Sequence, residues 1–123
     1  MKIKKLNKYK IYMEIDDDEL SEMSNISYNT TGIKDVVIWI GPNPHYHGKR
    51  VKISNTHSKF NKNNCFTITI PDLEIIGDVN TVLIDSKKLE KIKEFISINM
   101  TIISQYLDEE ILTDDMINSL KKV

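Results

Sequence analysis

The hydrophobic period of this chain changes once, near residue 85, and this change most constrains the fold. Before it, apolar residues alternate with polar ones or form short runs, which is typical of β-strands. After it, they recur every three or four residues, as on one side of an α-helix. Strands first and helices last exclude the strand–helix alternation of a Rossmann fold. The order predicts an α+β domain, with an antiparallel sheet of four to five strands followed by two C-terminal helices.

Several segments before residue 85 have strand character. They are residues 9–15, 35–40, 50–54, 65–70 and 73–76, with 82–84 as a further edge segment. The run at 35–40 is apolar on both faces, so it predicts a central strand, and the two prolines of Gly41-Pro42-Asn43-Pro44 end it. Residues 20–33 lack a period and predict a loop with at most one short helical turn.

The strand at 50–54 alternates cleanly. We expect Val51 and Ile53 to face the core, and Arg50, Lys52 and Ser54 to face outward as a solvated strand face.

One long helix is predicted over residues 86–107, with Ser86 as its N-cap, and a short one begins at Thr113 as its cap. The long helix carries two neighbouring apolar stripes. The first contains Leu89, Ile92, Ile96, Met100, Ile103 and Leu107, and the second contains Phe95, Ile98, Ile102 and Tyr106. One sheet covers one stripe, so the final helix or a second subunit must cover the other. We therefore expect a homodimer through helix 86–107.

Composition narrows the class of protein. The 123 residues suit a single domain (1–123), and the net charge of −1 makes nucleic-acid binding unlikely. The charges lie in blocks of alternating sign, which either partner one another in three dimensions or form opposite, solvated faces. A single cysteine excludes an internal disulfide, and no apolar run approaches the ~20 residues that a membrane span needs. We expect a cytoplasmic protein with no membrane contact and no cofactor.

The most specific motif is Pro44-His45-Tyr46-His47-Gly48, followed by a basic stretch. In an extended chain His45 and His47 point to one side, about 7 Å apart. The neighbouring cations are Lys49, Lys52 and the chain's single arginine, Arg50. Imidazole and cationic groups together suit an anion, so these five residues predict a binding site for a phosphorylated small ligand or an acidic protein partner.

A different use of the histidines stays open. With His57, the pair could supply three nitrogen ligands to a catalytic zinc ion, which would make the protein a metal-dependent hydrolase or nuclease. No acidic residue near in sequence orients the rings, and the histidines can also stabilise a turn. Cys65 has no evident base beside it in sequence, so we interpret it as structural.

Residues 41–112 resemble a small bacterial and phage family of unknown function. The resemblance lies in Pro44-His45-Tyr46-His47, in Leu73-Glu74-Ile75-Ile76-Gly77 and in a long helix that ends near Tyr106-Leu107. Gly48 departs from the β-branched residue that usually follows the second histidine. The resemblance implies an α+β fold and an accessory protein of a phage, mobile element or toxin–antitoxin locus. We therefore expect a non-enzymatic binding protein that sequesters or inhibits a ligand or a defence or toxin protein.

Overall fold

A computed structural model describes residues 23–41, 48–56 and 64–123. In this part of the chain, five strands form one antiparallel sheet in sequence order. The strands are β1 (Ser24–Ile26), β2 (Val37–Ile40), β3 (Arg50–Ser54), β4 (Phe66–Thr69) and β5 (Ile75–Ile76). The predicted α+β architecture, and the central position of the apolar run in β2, are confirmed.

Among the described residues, one helix lies between β1 and β2, and the other helices follow the sheet. They are α1 (Tyr28–Thr31), α2 (Ser86–Ile98), α3 (Met100–Leu107) and α4 (Thr113–Ser119), with a 3₁₀ turn at Val79–Val82. None of the helices in the described residues is both long enough and apolar enough to cross a membrane.

Two segments were predicted with the wrong secondary structure. Residues 20–33 include β1, a strand of three residues. It is too short to show an alternation of its own, and its backbone pairs with β2. Residues 82–84 are no strand, because Asp78 accepts a hydrogen bond from the Asn80 amide (2.9 Å) and starts the 3₁₀ turn. The strand predicted at 9–15 lies outside the described residues.

The core lies between one face of the sheet and the helices. Alternate residues of the three middle strands point to this face, because side chains on a strand alternate. They are Ile38, Ile40, Val51, Ile53, Phe66 and Ile68, all buried. From the helices, Ile92, Phe95, Ile96, Ile103, Leu107 and Met116 pack into the same cluster. Burial of each such side chain contributes about 1.5–3 kcal/mol, so this layer dominates the stability of the fold.

The predicted continuous helix 86–107 is wrong, because Asn99 divides it into α2 and α3. Asn99 is buried, and its Nδ2 donates to the carbonyl oxygens of Phe95 and Lys121, both at 2.9 Å. Its Oδ1 accepts from the Lys121 amide at 2.8 Å. The Val123 amide then donates to the Thr31 carbonyl oxygen at 3.0 Å. The break between the helices therefore binds the C-terminal residues to the body of the protein.

The predicted helix caps are also wrong. Asp85, one residue earlier than Ser86, caps α2 by accepting from the Lys88 amide at 2.8 Å. Leu112 holds the N-cap position of α4, and the hydroxyl of Thr113 bonds instead to the Tyr106 hydroxyl at 2.9 Å. Each predicted cap lies one residue after the observed N-cap.

Most of the second apolar stripe is covered within the chain. Phe95 is fully buried, Ile102 and Tyr106 are half-buried, and Ile98 is 47 % exposed. α3 packs against α4. Within this stripe, Ile98 is the exposed residue. The homodimer through residues 86–107 stays a prediction, and sedimentation at high micromolar protein concentration tests it.

The face of the sheet opposite the helices, which we call the second face, is buried at its centre. Arg50, Lys52 and Ser54 point to it, as predicted, but the expectation of a solvated strand face is wrong. Ser54 is fully buried and Lys52 is 3 % exposed. Trp39 donates from Nε1 to the Ser54 hydroxyl at 2.8 Å, and that hydroxyl donates to the Thr56 carbonyl at 2.9 Å. These bonds allow the hydroxyl and the indole to be buried without loss of partners.

Candidate functional site

The start of β3 places Lys49 at one end of the sheet, beside the end of α3. The Lys49 carbonyl oxygen accepts from the Ile70 amide at 3.0 Å, which fixes the backbone of Lys49 against the turn that follows β4. The Lys49 ammonium donates to Asp108 Oδ2 at 2.7 Å. Asp108 is the C-cap of α3. The Lys49 ammonium is favourable at this position because the C-terminal end of a helix carries partial negative charge.

The ion pair is accessible from solvent. The side chains of Lys49 and Asp108 are 32 % and 42 % exposed, and Arg50, the next residue along β3, is half-buried. We call Lys49 and Asp108 the Lys49–Asp108 surface. Its charges can rearrange to meet a charged partner, because an exposed ion pair contributes only about 0–1 kcal/mol.

The predicted ligand-binding residues do not form one patch. Lys49 points toward α3, whereas Arg50 and Lys52 point to the second face, because neighbours on a strand alternate. Lys52 lies between Trp39 and Thr67 in the sheet register and is buried. Of the three cations, Lys49 and Arg50 are therefore the ones with surface exposed to a partner.

The three histidines lie outside the described residues. This holds for His45 and His47, assigned to ligand binding, and for His57, the third member of the alternative metal site. Within the described ranges, no group of three or more histidine, cysteine or carboxylate side chains is placed to hold a metal ion.

The thiol of Cys65 is buried and has a raised pKa, which disfavours nucleophilic chemistry. It directly precedes β4, and it packs with Val37 and Trp39 on the second face. Burial raises the pKa of its thiol from 9.0 to about 11, although the nearby Lys52 ammonium acts to lower it. Because the thiolate is the nucleophile, a thiol that stays protonated at neutral pH suits a structural role.

The raised pKa of Cys65 predicts a loss of stability at alkaline pH. The unfolded chain loses the thiol proton near the ordinary pKa of 9.0, whereas the folded chain retains it to about 11. The unfolded state is therefore favoured as the pH rises from about 9 to 11. Urea unfolding across this range should show the wild type losing stability relative to Cys65→Ala, which has no thiol. Parallel pH profiles for the two proteins would contradict this expectation.

Sequence reasoning missed Asp108 as a member of the site. The signal was present in the charge blocks, since an acidic stretch begins at Asp108 and a basic one surrounds Lys49. The sequence did not say which blocks meet. The same end of α3 holds Tyr106, whose hydroxyl lies 3.2 Å from the Ser24 hydroxyl and 2.9 Å from that of Thr113. These bonds connect β1, α3 and α4 and hold the helix end next to Asp108 in place.

Comparisons of the chain with protein-family models, with curated proteins and with solved structures found no match. The resemblance suggested by the Pro-His-aromatic-His motif stays a prediction.

Proposed function

We propose that this chain is a small binding protein without catalytic activity, which docks on an acidic surface of a partner protein and so sequesters or inhibits it. The observation that supports this proposal is the half-exposed ion pair of Lys49 and Asp108, with 2.7 Å between the ammonium nitrogen and the carboxylate oxygen. A partner carboxylate can replace Asp108 as the acceptor for Lys49.

The arrangement favours a protein partner over a phosphorylated small ligand. Glu109 and Glu110 follow Asp108 directly, so a phosphate dianion at Lys49 meets a local excess of negative charge. Lys52, the third cation of the predicted patch, is buried and does not offset that charge at the surface. A protein surface can present both signs of charge, meeting Lys49 with a carboxylate and Asp108 with a cation.

Two further features agree with a binding role. Cys65, the chain's single cysteine, is buried with a raised pKa. The chain is short, and the resemblance to small accessory proteins of phages and toxin–antitoxin loci implies action by blocking another protein. That biological setting is part of the proposal. His45 and His47, which precede Lys49 in sequence, stay predicted members of the binding site.

The first test uses two anionic probes on the full chain. Hexaglutamate models an acidic protein surface, and inorganic pyrophosphate models a phosphorylated ligand. We expect hexaglutamate to bind more tightly than pyrophosphate, weakly and with a marked dependence on salt. Lys49→Gln should weaken hexaglutamate binding roughly two- to fivefold, the range that an exposed ion pair supports. Asp108→Asn should strengthen it by a similar factor, because it releases Lys49. Titration calorimetry or NMR titration measures both.

The matched control is Lys122→Gln, which removes the same charge from an exposed lysine near the C-terminus. It should leave hexaglutamate binding within error of the wild type. Equal weakening by Lys49→Gln and Lys122→Gln would show that only net charge matters and would contradict the proposed surface. Tighter binding of pyrophosphate would favour the phosphorylated ligand instead. Stoichiometric zinc in the purified protein, lost with His45→Gln, would favour the hydrolase or nuclease.

A further inference from the structure

Residues 120–123 follow α4 without helix or strand structure and lie against the body of the protein. Leu120 has φ −73° and ψ 142°, the angles of a polyproline II helix. Such a helix has three residues per turn, so its first and fourth side chains point the same way. Leu120 and Val123 are half-buried against the core cluster, whereas Lys121 and Lys122 between them are exposed. This burial pattern matches one turn of polyproline II helix.

The main chain of this turn is bound by groups from two separate parts of the fold. A polyproline II turn makes no internal hydrogen bonds, so its amides and carbonyls need partners elsewhere. Asn99 bonds to both polar groups of Lys121, donating to the carbonyl oxygen at 2.9 Å and accepting from the amide at 2.8 Å. Thr31 accepts from the Val123 amide at 3.0 Å. These bonds recognise the backbone and do not depend on the exposed lysine side chains.

The groups that bind the turn are held ready by the rest of the protein. The side chain of Asn99 is buried, and its Nδ2 also donates to the Phe95 carbonyl oxygen at 2.9 Å, which orients the carboxamide. Gly32 has φ +81°, and a Cβ atom there would lie 2.6 Å from a main-chain oxygen of Val123. A side chain at position 32 would therefore push the turn away. We call Asn99, Thr31 and Gly32 the Asn99 site.

We propose that the Asn99 site binds a polyproline II segment of a partner protein, and that residues 120–123 occupy the site until such a segment displaces them. Grooves that recognise this conformation benefit from a ligand that is already ordered before it binds. Residues 120–123 show the pattern that fits, namely apolar residues at the first and fourth positions. The Asn99 site is separate from the Lys49–Asp108 surface, so either proposal can fail alone.

The hydrogen bonds also define where the partner segment accepts proline. The amides of Lys121 and Val123 donate in this turn, so the second and fourth positions of a ligand need an N–H group. Proline has none and is excluded from both. It suits the third position, which corresponds to Lys122 and supplies none of these bonds. A proline there also favours the polyproline II conformation in the residue before it.

The test uses the full chain and two peptides of identical composition, acetyl-Leu-Lys-Pro-Val-amide and acetyl-Leu-Pro-Lys-Val-amide. Lys121→Pro opens the site, because it removes the amide that donates to Asn99. Lys122→Pro is the matched control, since it retains that amide and keeps the site occupied. In NMR titrations of the Lys121→Pro protein, the first peptide should bind about tenfold more tightly than the second. It should bind the wild type and Lys122→Pro at least tenfold more weakly, because residues 120–123 compete with it there.

Equal binding of the two peptides would overturn the proposal, as would equal affinities of the first peptide for Lys121→Pro and Lys122→Pro. The same holds if neither peptide binds at millimolar concentration. A wild-type dimer that the first peptide dissociates would also overturn it, since a second copy of the chain would then be the occupant.

A measurement on the unmodified protein decides the matter if Lys121→Pro does not fold. In hydrogen exchange followed by mass spectrometry, millimolar acetyl-Leu-Lys-Pro-Val-amide should raise deuterium uptake in residues 120–123, because displaced amides lose their partners. The second peptide should change this uptake much less. Uptake that neither peptide changes, or that both raise equally, would overturn the proposal.

Discussion

Asn99→Ala should lower the free energy of unfolding by about 2–4 kcal/mol, because it removes three hydrogen bonds made by one buried side chain. In the variant, the backbone amide and carbonyl of Lys121 lose the hydrogen bonds that the Asn99 side chain makes with them in the wild type. The C-terminal residues should then detach, and trypsin should cleave after Lys121 faster than in the wild type. Urea unfolding and limited proteolysis measure the two effects.

The control for this variant is Asn118→Ala, the same change on the exposed face of α4. It should alter the free energy of unfolding by no more than about 0.5 kcal/mol. If Asn99→Ala were equally mild, the division between α2 and α3 would owe nothing to the bonds with Lys121.

Phe95→Ala should have the largest effect on stability, a loss of about 3–5 kcal/mol in the free energy of unfolding. Phe95 belongs to the second apolar stripe, yet it is fully buried as a member of the core cluster. Removal of the ring leaves a cavity that the surrounding isoleucines fill only in part. Urea unfolding of the variant, with circular dichroism to confirm helix content, gives the magnitude.

Ile98→Ala is the matched comparison, from the same helix and the same stripe but with a side chain 47 % exposed. We expect it to cost less than about 1 kcal/mol. Similar losses for Phe95→Ala and Ile98→Ala would mean that the two side chains are equally buried in solution. Such a result would point to a partner subunit seated over Ile98.

The architecture was predictable because its signals are local. Alternation in β3 and β4, the apolar run of β2 and the change of period near residue 85 each depend on neighbouring residues. β1 was missed because three residues carry no period, and its place depends on hydrogen bonds from β2. The division at Asn99 was missed for a similar reason, since the partner of its amide is Lys121, 22 residues further along the chain.

The candidate site was predictable in part. The sequence placed Lys49, Arg50 and Lys52 together, but strand alternation sends them to different faces, and burial removes Lys52 from the surface. The prediction that Lys52 and Ser54 face solvent assumed that the polar face of a strand is solvated. Trp39, in the neighbouring strand, belongs to the same face and shows why that assumption failed: its indole donates to Ser54. Cross-strand register, which decides such contacts, is set by the whole sheet.

A chemical-shift map of the ¹⁵N-labelled full chain during titration with hexaglutamate tests the proposed docking surface most directly. We expect the largest shifts at the amides of Lys49 and Asp108, and we expect these shifts to disappear at high salt. Shifts confined to other elements, such as the lysine-rich first turns of α2, or no shifts at millimolar peptide, would contradict it.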